Sequence, residues 1–354
     1  MNLRIGPEMS QKMRAAVLVE PRRFEIELRT VPEIKPDEVL IEVARCGICG
    51  TDTHIHDGGF MAHRLPLVPG HEFSGRVVKA GSQSGVAEGI AAVVDINHGC
   101  GRCYYCRRNE LMNCPSIKQI GIDVDGGFAE YVRVPGHLVI EAPETTPFDV
   151  LALTEPVACV VHSATRSGFE LARSVLIIGA GPIGNLHVQM QRLTGAAPII
   201  VAETSADRAR LAKAAGADAV VNDPQVLMDV VHSLTEGRGV DLAIESVGAT
   251  ALYETAQAAL RPGGHLAAFG LPPEGSELKV DLLTTVLREN SLMGSVAGPG
   301  QAMHHALSLL SHGRFDTSAF TSATYALEDI STAFETLPER PQDLKTQIIL
   351  NDNL

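Results

Sequence analysis

A chain of 354 residues, 45% hydrophobic and 20% charged, is too long for one ordinary core and suits two domains. Its formal net charge of −13 would repel a phosphate backbone, so nucleic acid is not an expected partner. No apolar run reaches the roughly 20 residues that span a bilayer, and the segment up to Met13 lacks the apolar core of an export signal, so a cytoplasmic protein with no membrane partner is expected.

Aromatic residues make up 4% and tryptophan is absent, so the core must be built from Ala, Val, Leu and Ile. Residues 1–12 are treated as an extension outside the fold, because the first strand-like stretch begins at Met13 with MRAAVLVE. Short β-type runs broken by Gly and Pro follow at 15–19, 39–43, 74–78 and 131–134, which predicts a compact, mostly antiparallel β domain with long loops. Near Val150 the pattern changes. Apolar strands at 175–178, 199–202, 219–221, 242–245, 265–269 and 291–293 alternate with helical stretches, which predicts a doubly wound parallel sheet. After Gly294 the alternation stops. Two helical stretches, 303–310 and 327–337, precede a β-type tail at 346–350 that is expected to return to the first domain. The expected division is 1–162 for the β-rich catalytic domain, 163–296 for the cofactor domain and 297–354 for the return.

Gly179-Ala180-Gly181-Pro182-Ile183-Gly184 follows a strand and opens a helix, the setting in which G-x-G-x-x-G marks a dinucleotide site rather than a plain structural turn. Gly179 permits the turn, Gly181 lets a pyrophosphate approach, and Gly184 lets helix and strand pack closely. The helix N-terminus offers free N–H groups to the phosphates. Glu203 ends the next strand, where an acid accepts hydrogen bonds from the adenosine ribose and repels a 2′-phosphate, so NAD is favoured over NADP. Arg208 lies where it could receive such a phosphate, and its plainer reading is a solvated helix residue.

Four of the seven cysteines fall together as Cys100, Cys103, Cys106 and Cys114, in the pattern C-x2-C-x2-C-x7-C. In a reducing compartment such a cluster binds metal more often than it forms disulfides. Four thiolates close a tetrahedron around Zn²⁺ with no open position, which describes a structural site. An iron–sulfur cluster is the rival, but its ligand run has a shorter last gap and no second cluster motif is present.

Further ligand types are scattered: Cys46 and Cys49 in Arg45-Cys46-Gly47-Ile48-Cys49-Gly50-Thr51-Asp52, His71 and Glu72 after Gly70, and Glu155 before Pro156. A thiolate, an imidazole and carboxylates from distant segments suit a zinc with an open position. Taken singly, each has a plain structural reading, as core thiol, loop histidine or helix-capping acid.

As a set, these motifs resemble the zinc-dependent medium-chain alcohol dehydrogenases, from Met13 to the end of the chain. Glu155-Pro156 stands where other alcohol dehydrogenases carry a second cysteine, so the likeness is to the polyol (sorbitol-type) branch. The resemblance implies a split GroES-like catalytic domain, a Rossmann domain, NAD, and one catalytic and one structural zinc per chain. It implies Cys46 and His71 as direct zinc ligands, with Glu72 and Glu155 as ligands or close neighbours, and gives Cys49 a packing role. Cys159, one helical turn after Glu155, could face the metal or be a buried helix thiol. Thr51 and His54 stand at the family's proton relay, although His54 also fits a loop histidine holding its turn. Zinc acts in such enzymes as a Lewis acid on a substrate hydroxyl, and NAD takes the hydride. A homodimer or homotetramer, paired through edge strands of the cofactor sheet, is expected.

Some positions depart from the family. Ile55 replaces the tyrosine of sorbitol dehydrogenases, and the stretch Gly294 to Gln301 lacks their arginine, so sorbitol itself is not the expected substrate. Asn97 stands where threonine dehydrogenases carry a histidine. The usual Gly-Asp-Arg-Val is replaced around Gly89-Ile90-Ala91-Ala92, which is expected to loosen packing.

Overall fold

The computed structural model describes residues 11–354. Most of the segment treated as an extension lies outside the described residues, but Lys12 belongs to the fold. It opens strand β1 (Lys12–Glu20), which pairs in a hairpin with β2 (Arg23–Thr30). Next come β3 (Glu38–Gly47), helix α1 (Gly50–His56), β4 (Glu72–Ala80), β5 (Ala91–Val94) and β6 (Asn97–His98). After these follow β7 (Lys118–Gln119), β8 (Tyr131–Pro135), β9 (Val139–Glu141) and α2 (Phe148–Leu151).

The second stretch runs α3 (Thr154–Arg166), β10 (Val175–Ile178), α4 (Pro182–Leu193), β11 (Ile199–Ala202), α5 (Ala206–Ala215), β12 (Ala219–Val221) and α6 (Leu227–Leu234). It continues through β13 (Val240–Glu245), α7 (Thr250–Ala258), β14 (Leu260–Ala268), α8 (Leu282–Arg288), β15 (Ser291–Gly294) and α9 (Gln301–Ser311). The chain closes with β16 (Ala323–Ala326), α10 (Ile330–Thr336) and β17 (Thr346–Ile349).

Two compact units result. The first extends to Leu153 and takes back Ala323–Thr336 and Thr346–Leu354. Its main sheet has the order β16-β17-β3-β4-β5-β9, with β8 also paired to β3. The tail strand β17 lies antiparallel to β3, with Ile348 opposite Cys46. β5, where the family's Gly-Asp-Arg-Val is replaced, has all four residues buried and is paired on both sides. Alanines there fit a strand covered on both faces, and no loosening of it is visible.

The second unit comprises Thr154–Ser322 and Leu337–Lys345. Its sheet, β12-β11-β10-β13-β14-β15, is parallel throughout. Both faces of such a sheet are covered, so its strands read as unbroken apolar runs. In β10, Leu176 and Ile178 point into one core with Tyr253 and Val231, while Val175 and Ile177 point into the other with Val188 and Ala212. The contacts place α3 and α9 wholly in this unit, unlike the sequence-based division at 162 and 296. α3 packs on α9 and α4, and a side chain at Gly298 would strike the backbone of Ala158.

His187 sits in the middle of α4 with no exposed surface, and its ring meets that of Phe269 edge-on at 4.9 Å. Neither ring nitrogen has a hydrogen-bond partner among the described residues. Burial alone pulls its pKa from 6.5 down to about 3. The folded form thus resists protonation that the unfolded chain accepts. Its contribution is fully present above about pH 6.5 and is lost toward pH 3, by about 1.4 kcal/mol per pH unit. Melting temperature of the wild type should therefore fall more steeply between pH 6 and pH 4 than that of His187→Leu. Equal slopes would mean that another group governs acid unfolding.

Candidate functional site

The first unit brings the end of β3 beside the start of β4. Their antiparallel register sets Gly47 opposite Glu72 and Cys46 opposite Phe73. The residues just beyond those strand ends, Cys49 and His71, thereby become neighbours. Gly70 turns the chain into His71 with φ +91°, and a Cβ there would lie 2.8 Å from both Cys46 Sγ and the Phe128 ring. Glycine is therefore required by both conformation and space.

Ligand atoms of Cys49, His71 and Glu72 lie within 4.8 Å of one another. The group holds Cys49, to which the resemblance gives a packing role, and not Cys46, which the resemblance implies as a ligand. Cys46 is inside β3, fully buried, with its Sγ 3.8 Å from the Gly47 carbonyl. Cys49 stands at the N-cap of α1, past the strand end, and there its sulfur reaches the histidine. Of the two cysteines in Cys46-x-x-Cys49, the strand claims the first for packing and the helix start presents the second.

Asp52, 1% exposed, ties this corner together. Its Oδ2 accepts the Cys49 N–H at 2.9 Å and its Oδ1 accepts the Gly70 N–H at 3.3 Å. The same Oδ1 lies 3.3 Å from His71 Nδ1. Burial opposes a charge on His71, but the Asp52 carboxylate and then Cys49 outweigh it and raise the ring's pKa well above 6.5. A carboxylate behind an imidazole fixes its tautomer and orientation and makes the far nitrogen a better ligand. From the sequence alone Asp52 has no assigned role. The available signal was its place three residues after Cys49, at the start of a short helix.

Thr51 and His54 ride on α1, Thr51 half-buried and His54 exposed. Glu155 opens α3 in the second unit and its Oε1 accepts a hydrogen bond from the buried Cys159 thiol at 3.3 Å.

The four-cysteine lobe also assembles: ligand atoms of Cys100, Cys103, Cys106 and Cys114 all lie within 4.8 Å of one another. Cys103 and Cys106 sulfurs are 3.5 Å apart, and none of the four is in a disulfide. Backbone N–H groups of Arg102 and Cys103 pull the Cys100 pKa down to about 6, whereas desolvation raises that of Cys106. Four soft donors this close, one readily ionised, match a tetrahedral Zn²⁺ in donor type and number. From residue 99 to residue 115 only Cys114 is buried. The lobe has no apolar core of its own, so the metal would have to hold it.

In the second unit the 179–184 turn joins β10 to α4. A Cβ on Gly184 would collide with the Gly179 carbonyl, while one on Gly181 would meet only Arg208 Nη1, at 3.9 Å. The space beside Gly184 is thus taken up by packing, and that beside Gly181 stays open for a phosphate. Glu203 Oε2 accepts the Ala180 N–H and Oε1 the Ser205 N–H, each at 2.8 Å. Arg208 is half-buried beside this turn rather than fully solvated. Pro182 and Ile183 begin α4, with Gly181 as its N-cap.

Comparison with known proteins shows the family. Residues 35–144 match the alcohol dehydrogenase GroES-like domain and residues 182–312 the zinc-binding dehydrogenase domain. Sorbitol dehydrogenase of Bacillus subtilis is 31% identical over 334 residues, covering 92% of this chain and 93% of its own. L-threonine 3-dehydrogenase of Pyrococcus furiosus is 38% identical over 272 residues, covering 75% and 78%. A solved zinc-binding dehydrogenase from Sinorhizobium meliloti, bound to NADP, superposes with a TM-score of 0.87 at 33% identity, over 96% of this chain and 99% of that one. The chain belongs to the zinc-dependent medium-chain alcohol and polyol dehydrogenase family, and it is an oxidoreductase acting on a small molecule. No helix among the described residues is long and apolar enough to cross a membrane.

Proposed function

We propose that the protein oxidises a secondary hydroxyl of a sugar alcohol or similar polyol, reversibly, with NAD as hydride acceptor. The observation that carries this reading is the convergence of Cys49, His71 and Glu72 on one point, backed by buried Asp52. In this proposal those three residues serve a catalytic zinc, and the four-cysteine lobe holds a structural one. When bound, zinc supplies Lewis acidity toward the substrate hydroxyl and NAD supplies the hydride acceptor. Asp52 holds His71 in orientation. Thr51 and His54 form a path by which the hydroxyl proton leaves, with exposed His54 at its solvent end. His54→Gln should lower turnover about tenfold or more below neutral pH and change its pH profile, whereas an unchanged profile would remove the relay.

Support for a polyol comes from the near full-length match to sorbitol dehydrogenase and from Glu155-Pro156. The threonine dehydrogenase match favours an amino alcohol as the second reading. Against it, Asn97 is 1% exposed and committed, bonding Asp95 Oδ1 and Gln119 Nε2 at 2.8 Å each. Simple secondary alcohols and free sugars complete the field. Glu203, its carboxylate beside the glycine turn, favours NAD. Initial rates with polyols, sugars, secondary alcohols and L-threonine, each with NAD and with NADP, test the proposal. Polyols with NAD should give the highest kcat/KM, and a clear preference for threonine or for NADP would overturn that part of it.

The cofactor sheet ends in the edge strand β15, with Leu292 54% exposed. Nearby α8 exposes Leu282, Leu283, Val286 and Leu287, each by 69% or more. These residues support self-association as a dimer or tetramer, and a monomeric mass in solution would refute it.

A further inference from the structure

A second loop covers the glycine turn of the cofactor unit. Residues 245–248 lead from β13 into α7, and β13 lies beside β10 with Glu245 opposite Ile178. These two strands are the central pair of the sheet, where the strand order reverses and where open α/β sheets bind ligands.

Glu245 is fully buried. Its Oε1 accepts N–H bonds from Val247 and Gly248, and its Oε2 accepts that of Gly248, all at 3.0 Å. Its carbonyl accepts the N–H groups of Phe269 at 3.2 Å and Gly270 at 2.9 Å. Ser246 Oγ donates to the carbonyls of Ile178 at 2.8 Å and Gly179 at 3.2 Å, and the Ser246 N–H donates to Ile178 at 3.1 Å. Tyr253 closes the far side through its hydroxyl on the Gly270 carbonyl. Only Val247 is left outside, 55% exposed, with Cγ2 where a side chain on Gly179 would fall.

A carboxylate removed from water is costly, and a well-packed apolar residue would stabilise such a position as well or better. Here the buried acid gives its acceptors to the backbone of one loop and to the Tyr253 hydroxyl, and that loop is bonded to the turn where a pyrophosphate would lie. We propose that Glu245 is a positioning residue for the dinucleotide: it rigidifies 245–248 so that Ser246 and Val247 brace the Gly179 turn in its binding shape. This rests on the reading of 179–184 as the cofactor site.

The test is NADH binding to the zinc-loaded enzyme, followed by the fluorescence of NADH itself, alongside the melting temperature. In Glu245→Gln the amide turns an NH2 toward one of the backbone donors, and the NADH dissociation constant should rise about tenfold. KM for the alcohol should stay within about twofold. Ser246→Ala keeps the carboxylate and cuts only the link to the turn. It should weaken NADH about threefold with an unchanged melting temperature, and it decides the question if Glu245→Gln does not fold. Wild-type NADH affinity in a folded Ser246→Ala variant, or in a folded Glu245→Gln variant, would overturn the proposal. Failure of the wild type to bind NADH or NADPH would instead overturn the dinucleotide reading, and this inference with it.

Discussion

Cys49→Ser is expected to lower turnover by at least about a hundredfold and to lose one zinc per chain. Disturbing even a residue behind a metal ligand costs about 10- to 100-fold, and Cys49 is here proposed as the ligand itself, its sulfur grouped with His71 and Glu72. A hydroxyl in its place is a poorer ligand for zinc than a thiolate. Cys46→Ser provides the contrast. Cys46 is buried in β3 against Gly70 and paired across to Phe73 and Ile348. Its replacement puts a hydroxyl in a core position, with a stability loss of about 1–2 kcal/mol, and should leave zinc content and most activity in place. Metal analysis and kcat of the two purified variants check this pair. The reverse pattern, with Cys46→Ser losing zinc and Cys49→Ser keeping it, would restore the ligand set read from the sequence.

Cys103→Ser should cost more than about 4 kcal/mol in stability, because loss of a metal-held element is among the few single changes of that size. The physical basis is the exposure of the lobe. Tyr104 is 67% exposed, and the backbone turns at Cys106–Arg108 and Leu111–Asn113 are single 3-10 turns that contain no buried residue. Without metal the segment has little apolar area to offset its ordering entropy. Expected readings are one zinc fewer per chain, a lower melting temperature and rapid proteolysis within 99–115. A variant that keeps its full zinc content and protease resistance would show that packing, not metal, orders the lobe.

The cofactor unit was the most legible part of the chain. Strands such as Val175–Ile178 are buried on both faces, so four consecutive apolar residues announce them, and the glycine turn that follows has few other uses. β2 is harder to read for the opposite reason: Arg23–Thr30 carries charges through an exposed strand whose partner lies in a hairpin, and little in its pattern marks a core face. The compact units differ from the sequence-based limits at α3 and α9, whose mutual packing is a tertiary fact that no local pattern carries. In the candidate site, spacing and residue type led to His71, Glu72 and the four lobe cysteines. Choosing between Cys46 and Cys49 required the register of β3 on β4 and the start of α1, which decide which sulfur leaves the strand. Asp52 became visible only once its two oxygens could be followed to Cys49, Gly70 and His71.

The most direct test of the account is to remove metal with a strong chelator and follow polyol-dependent NADH formation before removal, after it, and after adding zinc back. The account predicts that turnover disappears with the metal and returns as zinc is restored to the site of Cys49, His71 and Glu72. Undiminished turnover in metal-free, folded protein would contradict it.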